Sequence, residues 1–182
     1  ARIFPFLVNG HTWLDEPKAD SLWELAAVTG TPIDICLYNS SPLPHLRRLL
    51  EKYPTVAVTL DHLGHVTAST IDSLDDAIAP LLPMTGLTNL YLKFSPVNLS
   101  KIGQAGSPVQ TLTQMLASRF GANRMIWGTN YPATRNHGYK DLWDMGRNSV
   151  ATMGKVDQAL ALGGTAFNLW PSWDRPAAST DI

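Results

Sequence analysis

The sequence predicts an α/β fold built on a parallel sheet of five strands. Three observations carry this. Five short apolar runs recur along the 182 residues, each followed by a stretch with helical spacing. The runs are apolar enough to suit strands covered on their faces by helices. Several of them end in polar residues, and in parallel α/β folds function gathers at the C-terminal ends of the strands.

The elements follow in order. Residues 2–8, RIFPFLV, form a first strand closed by the turn pair Asn9-Gly10. Residues 17–29 read as a helix with Leu22, Leu25 and Ala26 on its inner face and Gly30 as its stop. IDICLY, 33–38, is a buried-strand run. Ser41-Pro42 then opens a helix whose apolar stripe is Leu43, Leu46, Leu49 and Leu50. TVAVTL, 55–60, is the third strand and leads into Asp61-His62-Leu63-Gly64. A helix from about Thr70 turns Ile71, Leu74 and Ile78 inward. NLYLKF, 89–94, is the fourth strand. Ser107-Pro108 opens a helix carrying Leu112, Met115 and Leu116 and ending at Gly121. RMIWGT, 124–129, is the fifth strand. Helical stretches near 139–153 and 155–169 follow, and residues 171–182 read as an irregular tail.

Composition narrows the function classes. At 45% hydrophobic residues the chain suits one buried core, not two domains. The formal net charge is −1 and no run of five Lys or Arg occurs, so electrostatics gives no argument for nucleic acid. No apolar run approaches the roughly 18 residues of a membrane span. The start, ARIFPFLVNG, lacks a cleavage pattern. A single cysteine, Cys36, excludes a disulfide framework and a Cys-rich zinc site, and a cytoplasmic setting is expected. A parallel sheet can close as a barrel or stay open as a doubly wound sheet. The first strand is not followed by a Gly-rich phosphate loop, which weakens a nucleotide-binding reading.

The candidate residues sit at strand ends. His62 can bind a metal, hydrogen-bond a substrate oxygen or shuttle a proton; the alternative is a histidine satisfied by local backbone groups. Asp61 reads rather as a loop carboxylate, because strand neighbours point to opposite faces. Lys93, late in an apolar strand, either meets a substrate carboxylate or forms an ion pair between strands. Asn130 can orient a water or substrate but has no basicity. Tyr131, Arg135 and His137 lie in the loop beyond. Trp127, Trp143, Trp170 and Trp173 read as packing. The five histidines form no His-x-His pair, and no Gly-x-Ser-x-Gly elbow occurs.

Three segments together resemble the amidohydrolase-related family often called amidohydrolase 2. They are Thr59–Gly64 (TLDHLG), Asn89–Ser95 (NLYLKFS) and Asn123–Pro132 (NRMIWGTNYP), with Gly163–Leu169 (GGTAFNL) similar to the family's final helix. The nearest branch is that of the 2-pyrone-4,6-dicarboxylate lactonases and sugar-lactone hydrolases, where a tyrosine ends the preceding strand as Tyr38 does here. The resemblance implies strands 4–8 of a distorted (β/α)8 TIM barrel over residues 1–170. It places His62 at the strand-6 histidine and Asn130 at the strand-8 aspartate that takes a proton from the attacking water. It implies either one divalent metal, zinc or manganese, on His62, or none, as in the lactonase branch.

Three departures stand out. Strands 1–3 and their His-x-His are not in the sequence, so missing N-terminal strands or self-association is expected to cover the sheet edges. Asn130 replaces a base. The arginine that the branch places after strand 7 is not evident in residues 95–100. The expected function is hydrolysis of a small carboxylated or lactone substrate by activated water. His62 and Asn130 would be catalytic, and Tyr38, Lys93, Tyr131 and His137 would contact substrate. The second reading is a catalytically silent barrel relative or fragment that binds a ligand or partner.

Overall fold

The computed structural model describes residues 2–6, 12–65, 74–104 and 108–170. Five strands form one sheet: β1 (Arg2–Ile3), β2 (Ile33–Cys36), β3 (Val58–Asp61), β4 (Leu90–Phe94) and β5 (Met125–Trp127). Their spatial order is their sequence order, and every neighbouring pair is parallel. A doubly wound sheet reverses its strand order at a switch point. This sheet never does, so it is a run of barrel wall.

The helices are α1 (Pro17–Thr29), α2 (Leu43–Lys52), α3 (Leu74–Ile78), α4 (Pro96–Gln104), α5 (Val109–Phe120), α6 (Tyr139–Ser149), α7 (Lys155–Ala159) and α8 (Thr165–Leu169). The stripe expected on α2, Leu43, Leu46, Leu49 and Leu50, is buried. On α1 the buried face is Ala19, Trp23 and Ala26, and Leu25 is exposed. The fully buried Trp23 indole decides the phase of that helix. The helical stretch expected over 155–169 is broken by a wide turn at Leu160–Gly164, where Gly163 leaves helical backbone angles. The first strand is two residues long rather than seven. Its Asn9-Gly10 turn lies outside the described residues, as do Ile71, Ser107, Trp173 and the 171–182 tail.

Strand alternation sorts the sheet into two faces. Ile33, Ile35, Val58, Leu60, Leu90, Leu92, Phe94 and Met125 are buried in the core with the helices. The residues between them are largely polar: Arg2, Asp34, Thr59, Asp61, Tyr91 and Lys93. The register aligns Arg2, Asp34, Thr59 and Tyr91 in one row, with Cys36 beside Asp61 in the next. The strands are thus apolar on one face only, and the polar face is the inner wall of the barrel.

Two side chains brace the opposite, N-terminal ends of the strands. Asn89 Nδ2 donates to the carbonyls of Leu50, Tyr53 and Val56, tying the end of α2 to the start of β4. Arg124 donates to the carbonyls of Phe120, Leu87 and Thr85 at 2.6–2.7 Å. Carbonyls that lack partners at helix ends and turns are satisfied in this way.

Candidate active site

The inner wall carries an alternating charge network. Arg2 Nη2 lies 2.5 Å from Asp61 Oδ2, and Lys93 Nζ lies 2.6 Å from Asp34 Oδ1 and 3.1 Å from Asp61 Oδ1. Thr59 donates to Asp34 at 2.5 Å. Two cations and two carboxylates balance, which is how charges are tolerated away from water. Burial works against the Arg2 charge, but Asp61, the Cys36 side chain and Asp34 outweigh it and raise its pKa. Lys93 is therefore the ion pair between strands, and its ammonium also faces the Trp170 ring at 5.8 Å.

A cavity of about 550 Å³ opens over this network. That size suits a small organic ligand. Its wall includes Arg2, Asp61, His62, Lys93, Ser95 and Asn130, with Trp127 and Trp170 as apolar sides. His62 and Asn130 thus share one mouth.

Asp61 and His62 both reach that cavity because the strand ends between them. His62, Leu63, Gly64 and His65 all take left-handed backbone angles, with φ of 51, 53, 62 and 55°. Such a turn costs roughly 1–2 kcal/mol for each residue with a Cβ, so tertiary contacts must hold it. Leu63 is fully buried, and Asn98 Nδ2 donates to the His62 carbonyl at 2.9 Å. The expectation of Asp61 as a capping loop carboxylate is corrected: it is a buried member of the inner wall.

His62 Nδ1 lies 2.7 Å from Ser95 Oγ. The Ser95 hydroxyl donates to Asn98 Oδ1, which also accepts the Ser95 backbone N–H. In the tautomer that keeps the hydroxyl on Asn98, Nδ1 donates to Ser95 and Nε2 keeps its lone pair. Burial lowers the His62 pKa and so favours the neutral ring, and the nearby Asp61 only partly opposes this. Burial also lowers the His65 pKa and raises that of the Cys36 thiol. Cys36, His62 and His65 each bring one metal-ligating atom to within 4.8 Å of the others.

Of the residues read from sequence as site residues, His62, Lys93 and Asn130 line the cavity. Tyr38, Tyr131 and His137 do not. Tyr38 is exposed and packs on the rings of Phe4 and Phe6, Tyr131 meets Tyr139 edge-on, and His137 is exposed in its loop. Trp127 and Trp170, read as packing, line the cavity. Arg2, Asp34 and Ser95 were not singled out. For Asp34 the signal was there: one carboxylate inside the apolar run IDIC.

The sequence matches the family described as Amidohydrolase over residues 3–171. The chain belongs to the amidohydrolase family. No curated protein matches the sequence. Solved structures with the same fold include an amidohydrolase from Burkholderia multivorans with bound zinc (TM-score 0.71, 16% identity, 87% of this chain and 59% of that one). A putative 2-pyrone-4,6-dicarboxylic acid hydrolase from Pseudomonas putida aligns with a TM-score of 0.72 at 19% identity, over 96% of this chain and 64% of that one. A probable hydrolase of the same name from Acinetobacter baumannii, with citric acid bound, gives 0.71 at 17% identity, over 93% and 63%. The chain therefore spans about three fifths of the length of these amidohydrolases, and its sheet is part of a TIM-barrel wall. No helix among the described residues is long and apolar enough to cross a membrane.

Proposed function

We propose that this amidohydrolase-family chain hydrolyses a small carboxylated or lactone substrate in the cavity over its inner wall. One observation carries the reading: His62, its Nδ1 held by Ser95, and Asn130 face the same cavity above an anchored Arg2–Asp61–Lys93 network. Citrate in one structure of the same fold and the pyrone dicarboxylate hydrolase name of two support the substrate class.

A divalent ion of the kind seen in the Burkholderia structure fits the centre of this cavity poorly. The Asp61 and Asp34 carboxylates are both engaged by Arg2 and Lys93, Asn130 is a neutral amide, and the imidazole of His62 is left.

The residues divide the work as follows. His62 Nε2 accepts a proton from the attacking water, the role that Asn130 lacks the basicity to perform. Ser95 and Asn98 hold the imidazole in that tautomer. Asn130 positions the water or the scissile carbonyl through its amide. Arg2, half exposed at the rim, meets a substrate carboxylate. Further barrel strands beside β1 and β5, from a longer polypeptide or a second copy, would cover the sheet edges and complete the cavity.

The test is turnover of a panel of lactones and carboxylated esters by the purified protein and by His62→Gln. Loss of about 100-fold or more in kcat supports the base role. Unchanged turnover overturns it. Asn130 favours a second reading, ligand binding without reaction. Calorimetric binding of the same compounds with no turnover would select that reading.

A further inference from the structure

We propose that Cys36, His62 and His65 form a site for a thiophilic divalent cation, zinc by preference, at the rim of the inner wall and with its fourth position open. The set draws on the end of β2 and on the turn after β3. It uses neither a strand-1 histidine pair nor the position of Asn130.

Backbone geometry brings the two imidazoles together. A 3₁₀-type turn has three residues per turn, so side chains at i and i+3 eclipse. His62 and His65 occupy those positions in the left-handed turn, and their ring centroids are 5.2 Å apart. Non-glycine residues held in this backbone region are strained and cluster at functional sites. Here three of the four residues carry that strain, and the two ends are both metal-ligating side chains.

The third donor comes from the sheet. Cys36 pairs in register with Asp61, the residue immediately before the turn. Its thiol is buried beside Arg2, and burial raises its pKa, so a bound cation must displace the thiol proton. One ligand atom from each of the three residues falls within 4.8 Å of the other two. Tetrahedral zinc, with bonds of about 2.0–2.3 Å, needs donors roughly 3.5 Å apart. The 4.8 Å limit leaves about 1 Å for the side chains to close on binding.

The donor set selects the ion. A thiolate with two imidazoles suits zinc and disfavours magnesium and calcium, which take oxygen ligands. The outer contacts are those of a metal-binding histidine: Nδ1 is engaged by Ser95, leaving Nε2 as the ligand, and Asn98 fixes the backbone. Binding displaces the thiol proton to solvent and leaves a net charge of +1 on the ion and its thiolate, facing Asp61. Because the cation would occupy His62 Nε2, it would also suppress the proposed hydrolysis. Binding is measured separately, so either idea can fail without the other.

The experiment is a titration of the chelator-treated chain with Zn²⁺ and Co²⁺, followed by calorimetry and absorption. One equivalent should bind. Cobalt should give tetrahedral visible bands and a near-ultraviolet thiolate-to-metal charge-transfer band. Cys36→Ser should remove the charge-transfer band, and His65→Gln should weaken binding by about tenfold or more. The wild-type spectrum is decisive even if the buried Cys36 variant misfolds. Cobalt bound without a thiolate band, no binding, or affinity unmoved by His65→Gln in a folded variant would each overturn the site.

Discussion

Lys93 Nζ sits 2.6 Å from Asp34 Oδ1 and reaches over β3 to do so, since β4 and β2 are not neighbours in the sheet. The same ammonium touches Asp61, so one cation holds two carboxylates on two other strands. Removing it leaves both to share the half-exposed Arg2. Lys93→Met should cost about 3 kcal/mol, the usual penalty for stripping one partner from a poorly solvated ion pair. Adding Asp34→Asn should recover part of that loss. Denaturant unfolding of the single and double variants checks both, and a double variant as unstable as the sum would contradict the coupling.

Much of this fold was legible and much of the site was not, for the same physical reason. Strand positions and the α2 stripe follow from local periodicity, which is written in neighbouring residues. The barrel wall became certain only with the strand order, a long-range property. Lys93 was legible as a residue needing a partner. Its partner Asp34 lies 59 residues away, and nothing local names it. The expectation that Asp61 and His62 face opposite ways assumed a continuing strand. A left-handed turn at three non-glycine residues is imposed by tertiary packing and has no propensity signal. The strand expected to end at Tyr38 stops at Cys36, and Tyr38 packs on Phe4 and Phe6 outside the cavity.

That turn gives a second prediction. Gly64 is its one residue without a Cβ, at φ 62°, and a Cβ there would lie 3.3 Å from Leu60 Cδ2 and 3.5 Å from Leu43 Cδ2. Gly64→Ala should destabilise the chain by about 1–2 kcal/mol from the backbone alone. It should also separate the His62 and His65 rings. Thermal unfolding reads the first effect and histidine ring NMR shifts the second. An unchanged Tm would mean the turn is less constrained than its angles indicate.

Gly146 on α6 backs onto the cavity wall. A Cβ there would fall 2.5–2.9 Å from the indole atoms of Trp127, which lines the cavity. Gly146→Ala must push the indole, and overpacking of this kind costs about 1–3 kcal/mol. Tryptophan fluorescence should shift and ligand affinity should fall. A variant with wild-type emission and stability would show that the indole has room to yield.

A pH prediction concerns the α1–α2 contact. Hydrogen bonds from Lys52 and Tyr53 lower the pKa of Asp20 below 3.8. The folded chain thus binds fewer protons than the unfolded one just below that value. The stability contributed by Asp20 is fully present above pH 3.8 and is lost as pH falls through the depressed folded value. Asp20→Asn should therefore lower Tm at pH 6 and have no effect at the acid end of the stable range. A deficit that persists there would assign the effect to packing.

The last prediction returns to the mouth of the cavity. Asn130 holds φ 54°, a backbone region that Asp tolerates nearly as well, so Asn130→Asp should fold. The new carboxylate would face the cavity shared with His62 and the cations Arg2 and Lys93. It would supply a second group able to take a proton from water. Positioned bases contribute about 10²–10⁴-fold. Since His62 already provides one in the proposed mechanism, the lower end is expected: kcat up by about 100-fold, with KM little changed. If Asn130 instead positions the substrate through its amide N–H, the aspartate repels a carboxylated ligand and KM rises with kcat flat. Steady-state kinetics on one substrate separates the two outcomes. Wild-type values for both constants would remove Asn130 from the site.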